Sequence, residues 1–285
     1  MAEQVEIFEV GPRDGLQNET ARIPTADKIA LVDLLSRAGF RRIEVASFVS
    51  PRWVPQMADS AEVLAGIRRA RGVSYAALTP NMRGLERAIA AQADEIAVFG
   101  AASEGFSKAN INASIAESLE RFRPVVEAAR AAGLPVRGYV SCVTDCPYDG
   151  PVPPGTVAEV AGALDAMGCY EISLGDTVGQ GTPERVAAML EAVTAAIPAA
   201  RLAGHFHDTA GRALDNIEVA LGQGLRVFDA AVGGLGGCPY APGAAGNVAT
   251  ERVAARLAGL GYETGLDMAV LEEAAAMARA MRGGG

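Results

Sequence analysis

The sequence has few cysteines, fewer cationic than acidic residues, and no long apolar run. Four cysteines in 285 residues are too few for a disulfide framework, so we expect reduced thiols. Lysine and arginine number 25 against 34 aspartate and glutamate residues, a formal charge of −9 that argues against nucleic acid as a partner. No apolar run approaches the roughly 20 residues of a membrane-spanning helix, so we expect no membrane partner either.

The N-terminal segment carries no recognisable targeting pattern. The first residues, MAEQVEIFEV, do not show the basic and then apolar order of a secretion signal. Together with the low cysteine content, this predicts a cytoplasmic protein.

Length and periodicity favour one large α/β domain. Half of the residues are hydrophobic and 21% are charged, which is the balance of a packed globular chain. Short apolar runs typical of strands alternate with longer amphipathic segments, as in repeated βα units. Eight such runs occur at Val5–Val10, Arg42–Phe48, Val73–Leu78, Asp94–Phe99, Val136–Ser141, Tyr170–Leu174, Leu202–His207 and Arg226–Val232. The sequence therefore predicts a (β/α)₈ TIM barrel over residues 1–285, a single catalytic domain with an additional C-terminal helix near Asp267–Met281.

Local signals refine this prediction. Thr25 and Thr182 precede two of the predicted helices, and Pro147–Pro154 is short enough to be one strand-to-helix loop. The alternative, a doubly wound open sheet, carries a glycine fingerprint after its first strand in its dinucleotide-binding form, and residues 11–15 lack that fingerprint. The glycine-rich Gly233–Pro239 stretch comes only after the last strand, and we expect it to be a mobile loop. The surplus final helix is expected either to cap the barrel or to form a dimer contact.

Polar residues collect at the predicted strand ends, where the catalytic residues of such barrels lie. They come from six strands: Arg13 and Asp14; Glu44 and Ser47; Lys108 and Asn110; Asp176; His205, His207 and Asp208; and Cys238 and Asn247. We therefore expect one site at the C-terminal mouth of the barrel.

His205 and His207 are the two histidines of the chain, and they are two residues apart on a predicted strand. Side chains at i and i+2 of a strand point to the same side, so both imidazoles can share one ion. With oxygen ligands from Asp14 and Asn247, this set suits Mg²⁺ or Mn²⁺. The alternative interpretation is two hydrogen-bonded histidines in a polar layer of the core.

Four other residues also have both a functional and a structural interpretation. Arg13 can stabilise oxyanion charge or form a plain ion pair with Asp14. Glu44 can orient Arg13 or a metal ligand, or serve as a structural acid. Cys238 can exchange protons with substrate or remain an inert thiol. Asp176 can cap a helix or approach the metal through water.

Two long runs, VGPRDGLQNE at residues 10–19 and GLGGCPYAPGAAGNVATE at residues 234–251, closely resemble signatures of the 3-hydroxy-3-methylglutaryl-CoA lyase family. The resemblance extends through EVASFVSP (44–51), FGAASE (99–104), RGYVSC (137–142), ISLGDT (172–177) and HFHDT (205–209), and so covers nearly the whole chain. The sequence departs from the family pattern at Thr20, Phe206 and Ala210.

The resemblance implies a cytoplasmic, homodimeric lyase that cleaves 3-hydroxy-3-methylglutaryl-CoA to acetyl-CoA and acetoacetate with Mg²⁺ or Mn²⁺. By carry-over, the metal ligands are Asp14, His205, His207 and Asn247. Arg13 resembles the electrostatic catalyst and Cys238 the loop thiol, while Asp14, His205 and Cys238 share the proton transfers with Glu44 in support. Substrate contacts are expected from Arg13, Gln17, Ser47, Asn110 and Asp176.

Three other functions stay open at this point. One is a lyase for a longer branched 3-hydroxyglutaryl-CoA analogue, which needs the same chemistry in a differently shaped pocket. Another is a Schiff-base aldolase, for which Lys108 is the candidate because Lys28 falls on the first helix, outside the barrel. The last is a catalytically silent barrel that binds a CoA ester or a metal.

Overall fold

The computed structural model describes residues 2–237 and 245–283. Within these ranges eight parallel strands form a closed barrel. They are β1 Glu6–Glu9, β2 Arg42–Ser47, β3 Ser74–Leu78, β4 Glu95–Ala101, β5 Val136–Ser141, β8 Glu171–Asp176, β9 Leu202–Phe206 and β10 Val227–Ala230. Around the barrel the order is β1-β10-β9-β8-β5-β4-β3-β2. Each predicted strand is present, with bounds shifted by a few residues at most.

Helices follow the strands and cover the outside of the barrel. They are α1 Thr25–Leu35, α2 Ser60–Gly66, α3 Met82–Ala90, α4 Glu104–Ile111, α5 Ile115–Ala131, α6 Pro154–Met167, α7 Pro183–Thr194, α8 Ala213–Gly222, α9 Thr250–Gly259 and α10 Met268–Gly283. Their apolar faces and the outward side chains of the strands form one large buried cluster. No helix in the described ranges is both long enough and apolar enough to cross a membrane. The predicted TIM barrel with a C-terminal helix is confirmed.

The loop between β5 and α6 differs from the prediction of a simple connection. It contains two short antiparallel strands, β6 Asp145–Cys146 and β7 Gly150–Pro151. The pairing closes through the Val152 amide, which donates to the Thr144 carbonyl at 2.9 Å. The loop is therefore a small ordered hairpin beside the mouth.

The start of the glycine-rich stretch, residues 233–237, is packed, which corrects the prediction of a mobile loop for that part of Gly233–Pro239. A single 3₁₀ turn spans Val232–Gly234, and Gly233 is buried with a φ of +65°. A Cβ atom on Gly233 would lie 3.0 Å from the Cβ of Ala278, so only glycine lets α10 pack this closely. Residues 238–244, which include Cys238, lie outside the described residues.

Helix α10 packs back onto its own chain. Its buried positions include Leu271, Ala274 and Ala278, and its neighbours are α1 and the Val232–Gly234 turn. The Asp267 carboxylate accepts hydrogen bonds from the backbone amides of Ala269 and Val270 and so caps the helix. Of the two expected roles, this packing matches the cap.

Candidate active site

A short π-helical turn directly after β1 presents Arg13 and Asp14 at the mouth of the barrel. Over Gly11–Gly15 the backbone amides of Arg13, Asp14 and Gly15 all donate to the Val10 carbonyl at 2.8 to 3.2 Å. Below the turn, the buried Glu9 carboxylate accepts from the amides of Gly11 and Val232 at 2.8 and 2.9 Å. These bonds tie the end of β1 to the end of β10. The reactive dipeptide therefore stands on rigid backbone.

Arg13 is buried between two carboxylates. Its Nε donates to Oε2 of Glu44 at 2.7 Å, and its Nη1 donates to Oδ1 of Asp14 at 2.8 Å. Tyr139 donates to the same Glu44 oxygen at 3.1 Å, and the guanidinium lies 5.6 Å from the centre of its ring. Burial opposes the charge of Arg13, but Glu44 and Asp14 outweigh it and raise the pKa further. Arg13 is therefore a permanent, well-oriented cation that lines the cavity.

Asp14, His205 and His207 form a three-residue cluster whose ligand atoms lie within 4.8 Å of one another. The Nε2 atom of His205 is 3.9 Å from Oδ2 of Asp14. Asn247 donates from Nδ2 to the same Asp14 oxygen at 2.8 Å and pairs with His207 in an antiparallel bridge. The fold thus brings together the four residues predicted as metal ligands.

The electrostatics of the cluster fit a divalent cation. Burial opposes ionisation of Asp14, yet Arg13 and the histidines outweigh it and lower the pKa of the carboxyl. Burial and the neighbouring His205 lower the pKa of His207 to about 4. The Nδ1 atom of His207 is buried and has no hydrogen-bond partner among the described residues. A neutral imidazole with a free buried nitrogen beside a carboxylate is the donor set that a cation requires.

Hydrogen bonds from residues behind the metal cluster orient His205. Its Nδ1 lies 3.1 Å from Oδ2 of Asp229, and Arg137 holds both oxygens of that carboxylate at 2.9 and 2.7 Å. Ser173 donates to Asp229 at 2.8 Å. Burial opposes the charge of Asp229, but Arg137 and His205 lower its pKa. Because Nδ1 is bound to this carboxylate, Nε2 is the nitrogen that faces Asp14.

The predictions did not include Asp229, Arg137 or Tyr139. A partial signal was available, because Arg137 and Tyr139 are two residues apart on one strand and a charged residue inside a predicted buried strand is unusual. Asp229 is in register with His205 on the neighbouring strand. That pairing depends on the register between the two strands.

The cluster lies in the wall of a cavity of about 1860 Å³. Of the predicted substrate contacts, Arg13, Gln17 and Asn110 line this cavity. Gln17 also donates to Oδ1 of Asp14 at 3.0 Å. The cavity is larger than the roughly 300–1,000 Å³ typical of small-molecule sites, so it has room for a long ligand.

Ser47 and Asp176 do not reach the cavity, which corrects their assignment as substrate contacts. Ser47 is fully buried at the end of β2, where its backbone amide donates to the Ser60 hydroxyl at 3.0 Å. Asp176 is fully buried and accepts from the Thr144 hydroxyl and from the amides of Gly179 and Gly181. Both residues support the loops around the site.

The lysines also differ from the prediction. Lys108 is exposed and does not line the cavity. Lys28 lies on α1, as predicted, but its side chain reaches the cavity, where Nζ forms an ion pair with Asp59 at 2.7 Å. An ammonium group held by a carboxylate is a poor Schiff-base nucleophile.

Comparison with known sequences identifies close relatives. A family model described as HMGL-like matches residues 4–278. The 3-hydroxy-3-isohexenylglutaryl-CoA/hydroxy-methylglutaryl-CoA lyase of Pseudomonas aeruginosa is 60% identical over 274 residues, 96% of this chain and 91% of that protein. The mitochondrial hydroxymethylglutaryl-CoA lyase of Bos taurus is 59% identical over 96% of this chain and 84% of its own. The cytoplasmic 3-hydroxy-3-methylglutaryl-CoA lyase of Mus musculus is 58% identical over 96% and 80%.

Solved structures agree with the sequence matches. The HMG-CoA lyase of Brucella melitensis superposes with a TM-score of 0.98 at 64% identity, covering 99% of this chain and 100% of that one. An HMG-CoA lyase of Acinetobacter baumannii, solved in complex with coenzyme A and 3-methylmalate, has a TM-score of 0.93 at 37% identity and covers 98% and 92%. The resemblance carried by the sequence motifs is thereby confirmed, and the chain belongs to the HMGL-like family.

Proposed function

We propose that this chain is a carbon–carbon lyase that cleaves 3-hydroxy-3-methylglutaryl-CoA to acetyl-CoA and acetoacetate, with residues 1–285 acting as one catalytic domain. One observation carries the proposal: Arg13, Asp14, His205 and His207 converge on one wall of a cavity large enough for a CoA thioester. The names of the relatives support it, as does the A. baumannii enzyme bound to coenzyme A.

The metal is proposed to be Mg²⁺ or Mn²⁺, held by Asp14, His205, His207 and Asn247. The described cluster offers imidazole nitrogens and a carboxylate and no thiolate, a set that favours these ions over zinc. When bound, a divalent cation supplies Lewis acidity, which favours loss of the proton from a nearby hydroxyl group. Asp14 and Asn247 position each other through their hydrogen bond, and Asp229 fixes the ring of His205.

Arg13 is proposed to stabilise the enolate that forms when the C2–C3 bond breaks. The C3 hydroxyl loses its proton, its oxygen becomes the ketone of acetoacetate, and the bonding pair moves to C2 and the thioester oxygen. A guanidinium already fixed by Glu44 and Asp14 can meet that oxygen without reorganising. Tyr139 and Glu44 act as positioning residues for Arg13.

Two protons must move during the reaction. One leaves the C3 hydroxyl, and one reaches C2 to complete acetyl-CoA. Asp14, His205 and Cys238 are the proposed carriers. Gly237 and Ala245, which flank residues 238–244, pair in an antiparallel bridge, and a Cβ on Gly236 would lie 3.0 Å from Asn247 Nδ2. The described residues on either side of residues 238–244 therefore lie beside the metal cluster.

A CoA ester with a longer substituent on C3 is a second candidate substrate. Barrel order places β3 across from β9, which carries His205. On that side the lining includes the apolar residues Val49, Leu78 and Phe99, which pack together. An apolar wall opposite the polar cluster suits an alkyl or alkenyl chain, and the P. aeruginosa relative is named for such a substrate.

The deciding experiment is a substrate panel assayed with purified, Mg²⁺-loaded protein. Release of acetyl-CoA and acetoacetate in equal amounts from 3-hydroxy-3-methylglutaryl-CoA supports the proposal. A higher kcat/KM for a 3-isohexenyl analogue would make the longer ester the preferred substrate. No metal-dependent turnover with any ester would favour the silent barrel, and trapping of a lysine adduct by borohydride would favour the aldolase.

Location and assembly complete the proposal. We propose a cytoplasmic homodimer that takes a small acyl-CoA substrate. The described cysteines Cys142, Cys146 and Cys169 are free and buried, which is consistent with a reducing compartment. Cell fractionation tests the location, because relatives of both mitochondrial and cytoplasmic name exist. Sedimentation velocity of the purified protein tests the dimer.

A further inference from the structure

The end of the barrel opposite the mouth carries charged residues, where barrels of this kind mostly hold branched apolar side chains. Four barrel strands begin there with a charged residue: Glu6 on β1, Arg42 on β2, Glu95 on β4 and Glu171 on β8. We call these four residues the basal layer. Strands β2 and β8 are opposite each other in the ring of eight, so a contact between Arg42 and Glu171 crosses the barrel interior.

Charges of alternating sign connect the basal layer to the metal cluster. Arg42 donates from Nη1 and Nη2 to the two carboxylate oxygens of Glu171 at 2.9 and 3.2 Å. Arg137 donates from Nε to Oε1 of Glu171 at 2.6 Å, and its two Nη atoms hold Asp229, the carboxylate that orients His205. Glu171 therefore lies between two arginines, and Arg137 lies between two carboxylates.

The guanidinium of Arg137 is fixed both in its plane and within that plane. Its Cζ atom lies 4.4 Å from the centre of the Phe8 ring and 5.0 Å from the centre of the Tyr139 ring, and stacking on aromatic rings restrains the plane. Within the plane, Nε faces Glu171 and the Nη atoms face Asp229. Because a guanidinium is a rigid planar fork, the position of Glu171 sets the direction from which the fork meets Asp229.

Stability alone does not account for charges at this depth. Arg137, Asp229 and Glu171 are each at most 5% exposed. Taking paired charges out of water costs about as much free energy as their attraction returns, and apolar side chains of the same volume are often at least as stabilising. A buried ion pair with several hydrogen bonds does supply one defined geometry. The connected charges are therefore better suited to orienting a group than to holding the barrel together.

We propose that Glu171 is a positioning residue for the metal centre, acting through Arg137 on Asp229 and so on the ring of His205. This inference rests on the proposed metal centre and extends its support to the opposite end of the barrel. Glu171 forms no hydrogen bond or ion pair with the four proposed ligands, all of which lie in the described ranges. It holds the fork of Arg137 in place and takes no part in bond cleavage.

The first test measures Mn²⁺ binding directly, without turnover. Metal-free protein is titrated with Mn²⁺ while the free ion is followed by electron paramagnetic resonance. Glu171→Gln should raise the dissociation constant about 3- to 30-fold, as expected for a residue that acts through a network of contacts. Glu95→Gln is the matched control, because Glu95 is a buried acid of the same layer that accepts from Tyr170 and Ser74 and forms no ion pair with a described residue. It should leave the constant unchanged.

A second variant separates the contact from the charge and is milder toward folding. Glu171→Asp keeps a carboxylate in the basal layer, but its side chain is one methylene group shorter and cannot keep the 2.6 Å contact with Arg137. We expect it to weaken Mn²⁺ binding as Glu171→Gln does. The affinity of the parent protein in a Glu171→Asp variant would refute the positioning role.

The third test reports on the His205 ring in the absence of metal. His205 and His207 are the two histidines of the chain, so protein labelled with ¹⁵N-histidine gives two imidazole patterns, which His207→Gln assigns. In the parent protein the proton on Nδ1 of His205 should be held against Asp229 and exchange slowly with water. In Glu171→Gln it should exchange faster, and in Glu95→Gln it should not.

Two results would overturn the inference. One is an unchanged Mn²⁺ dissociation constant in folded Glu171→Gln protein, and the other is an unchanged exchange of the His205 Nδ1 proton in the same variant. Neither result touches the proposed lyase activity, which the product assay measures separately. Conversely, a parent protein that binds no Mn²⁺ would refute the proposed metal centre, and faster Nδ1 exchange in Glu171→Gln would still support the orientation of His205 by Glu171.

Discussion

The inner end of the cavity and the basal layer are both built from paired charges, but only the inner end faces the cavity. At the inner end Arg13, Asp14 and His205 line the cavity, and each contacts two or more of its polar neighbours. In the basal layer Arg42 and Glu171 are paired as closely, yet neither lines the cavity. A preorganised group that faces the substrate contributes to transition-state stabilisation, whereas a group behind it contributes by orienting a ligand. The difference predicts that changes to residues facing the cavity lower kcat and changes to residues behind them lower metal affinity.

Removal of the metal should have the largest effect. Because Asp14, His205 and His207 present their ligand atoms to one point, we expect chelator treatment to abolish turnover. Added Mg²⁺ or Mn²⁺ should restore it, as measured by acetoacetate release. Full activity of a demonstrably metal-free preparation would contradict the proposed centre.

Arg13→Lys should have the second-largest effect, a loss on the order of 100- to 1000-fold in kcat. Lysine keeps the charge but cannot bind Glu44 and Asp14 and still present a donor to the enolate oxygen. KM for the CoA ester should change by less than about threefold, because this interaction forms in the transition state. Arg52→Lys serves as the exposed control. A kcat loss below about tenfold would reduce Arg13 to a structural ion pair.

Cys238→Ser should lower kcat at least about 100-fold, the low end of general acid–base catalysis. Alkylation should inactivate the parent protein, and a bound substrate analogue should protect it. The other cysteines are buried, and burial raises the pKa of Cys169 to about 12, so they are poor targets for the reagent. If the serine variant stays fully active, the thiol carries no proton. Inactivation of that variant by the reagent would place the sensitive thiol elsewhere.

Asp229→Asn should weaken metal affinity by about 10- to 100-fold, as expected for a carboxylate that orients a ligating imidazole. The change removes the charged partner of His205 and one of the two carboxylates that form ion pairs with Arg137. Titration of activity with Mg²⁺ should show a raised half-saturating concentration and substantial recovery at high metal. Ser173→Ala, which removes one neutral hydrogen bond to Asp229, is the milder control. An unchanged metal titration in a folded Asp229→Asn protein would refute the positioning role.

Glu9→Gln tests how the buried Glu9 carboxyl, below the inner end, makes the stability of the protein depend on pH. Burial raises the pKa of Glu9 to about 7, although Thr250 and the amides of Val232 and Gly11 oppose the shift. Between the ordinary pKa and about 7 the folded state holds a proton that the unfolded state has lost, so stability falls as pH rises through this window. Because glutamine does not titrate, Glu9→Gln should remove a decrease in the free energy of unfolding on the order of 3 kcal/mol. Urea unfolding at pH 5 and pH 7.5 measures it, and parallel pH dependences in both proteins would contradict the assignment.

The sequence predicted the barrel and most of the inner end because both depend on local information. Strand and helix periodicity repeats eight times, and Arg13-Asp14 and His205-x-His207 are each contained within three residues. Their placement at strand ends, in a fold whose strand ends all meet at one mouth, was enough to bring them together. The contact of Asn247 with Asp14 follows from the same rule, since its segment returns to the mouth after β10.

Only the tertiary structure decided which side chains support that site and which reach the substrate cavity. Ser47 is fully buried at the end of β2 and does not line the cavity, while Asp176 binds the backbone of its own loop. Asp229 meets His205 because β10 pairs with β9 in the register that sets these two residues side by side. Arg42 and Glu171 are far apart along the chain and form an ion pair because closure of the barrel places β2 opposite β8. Sequence periodicity reports which face a residue occupies within its own element, but distances between elements depend on strand register and barrel closure, which the whole chain sets together.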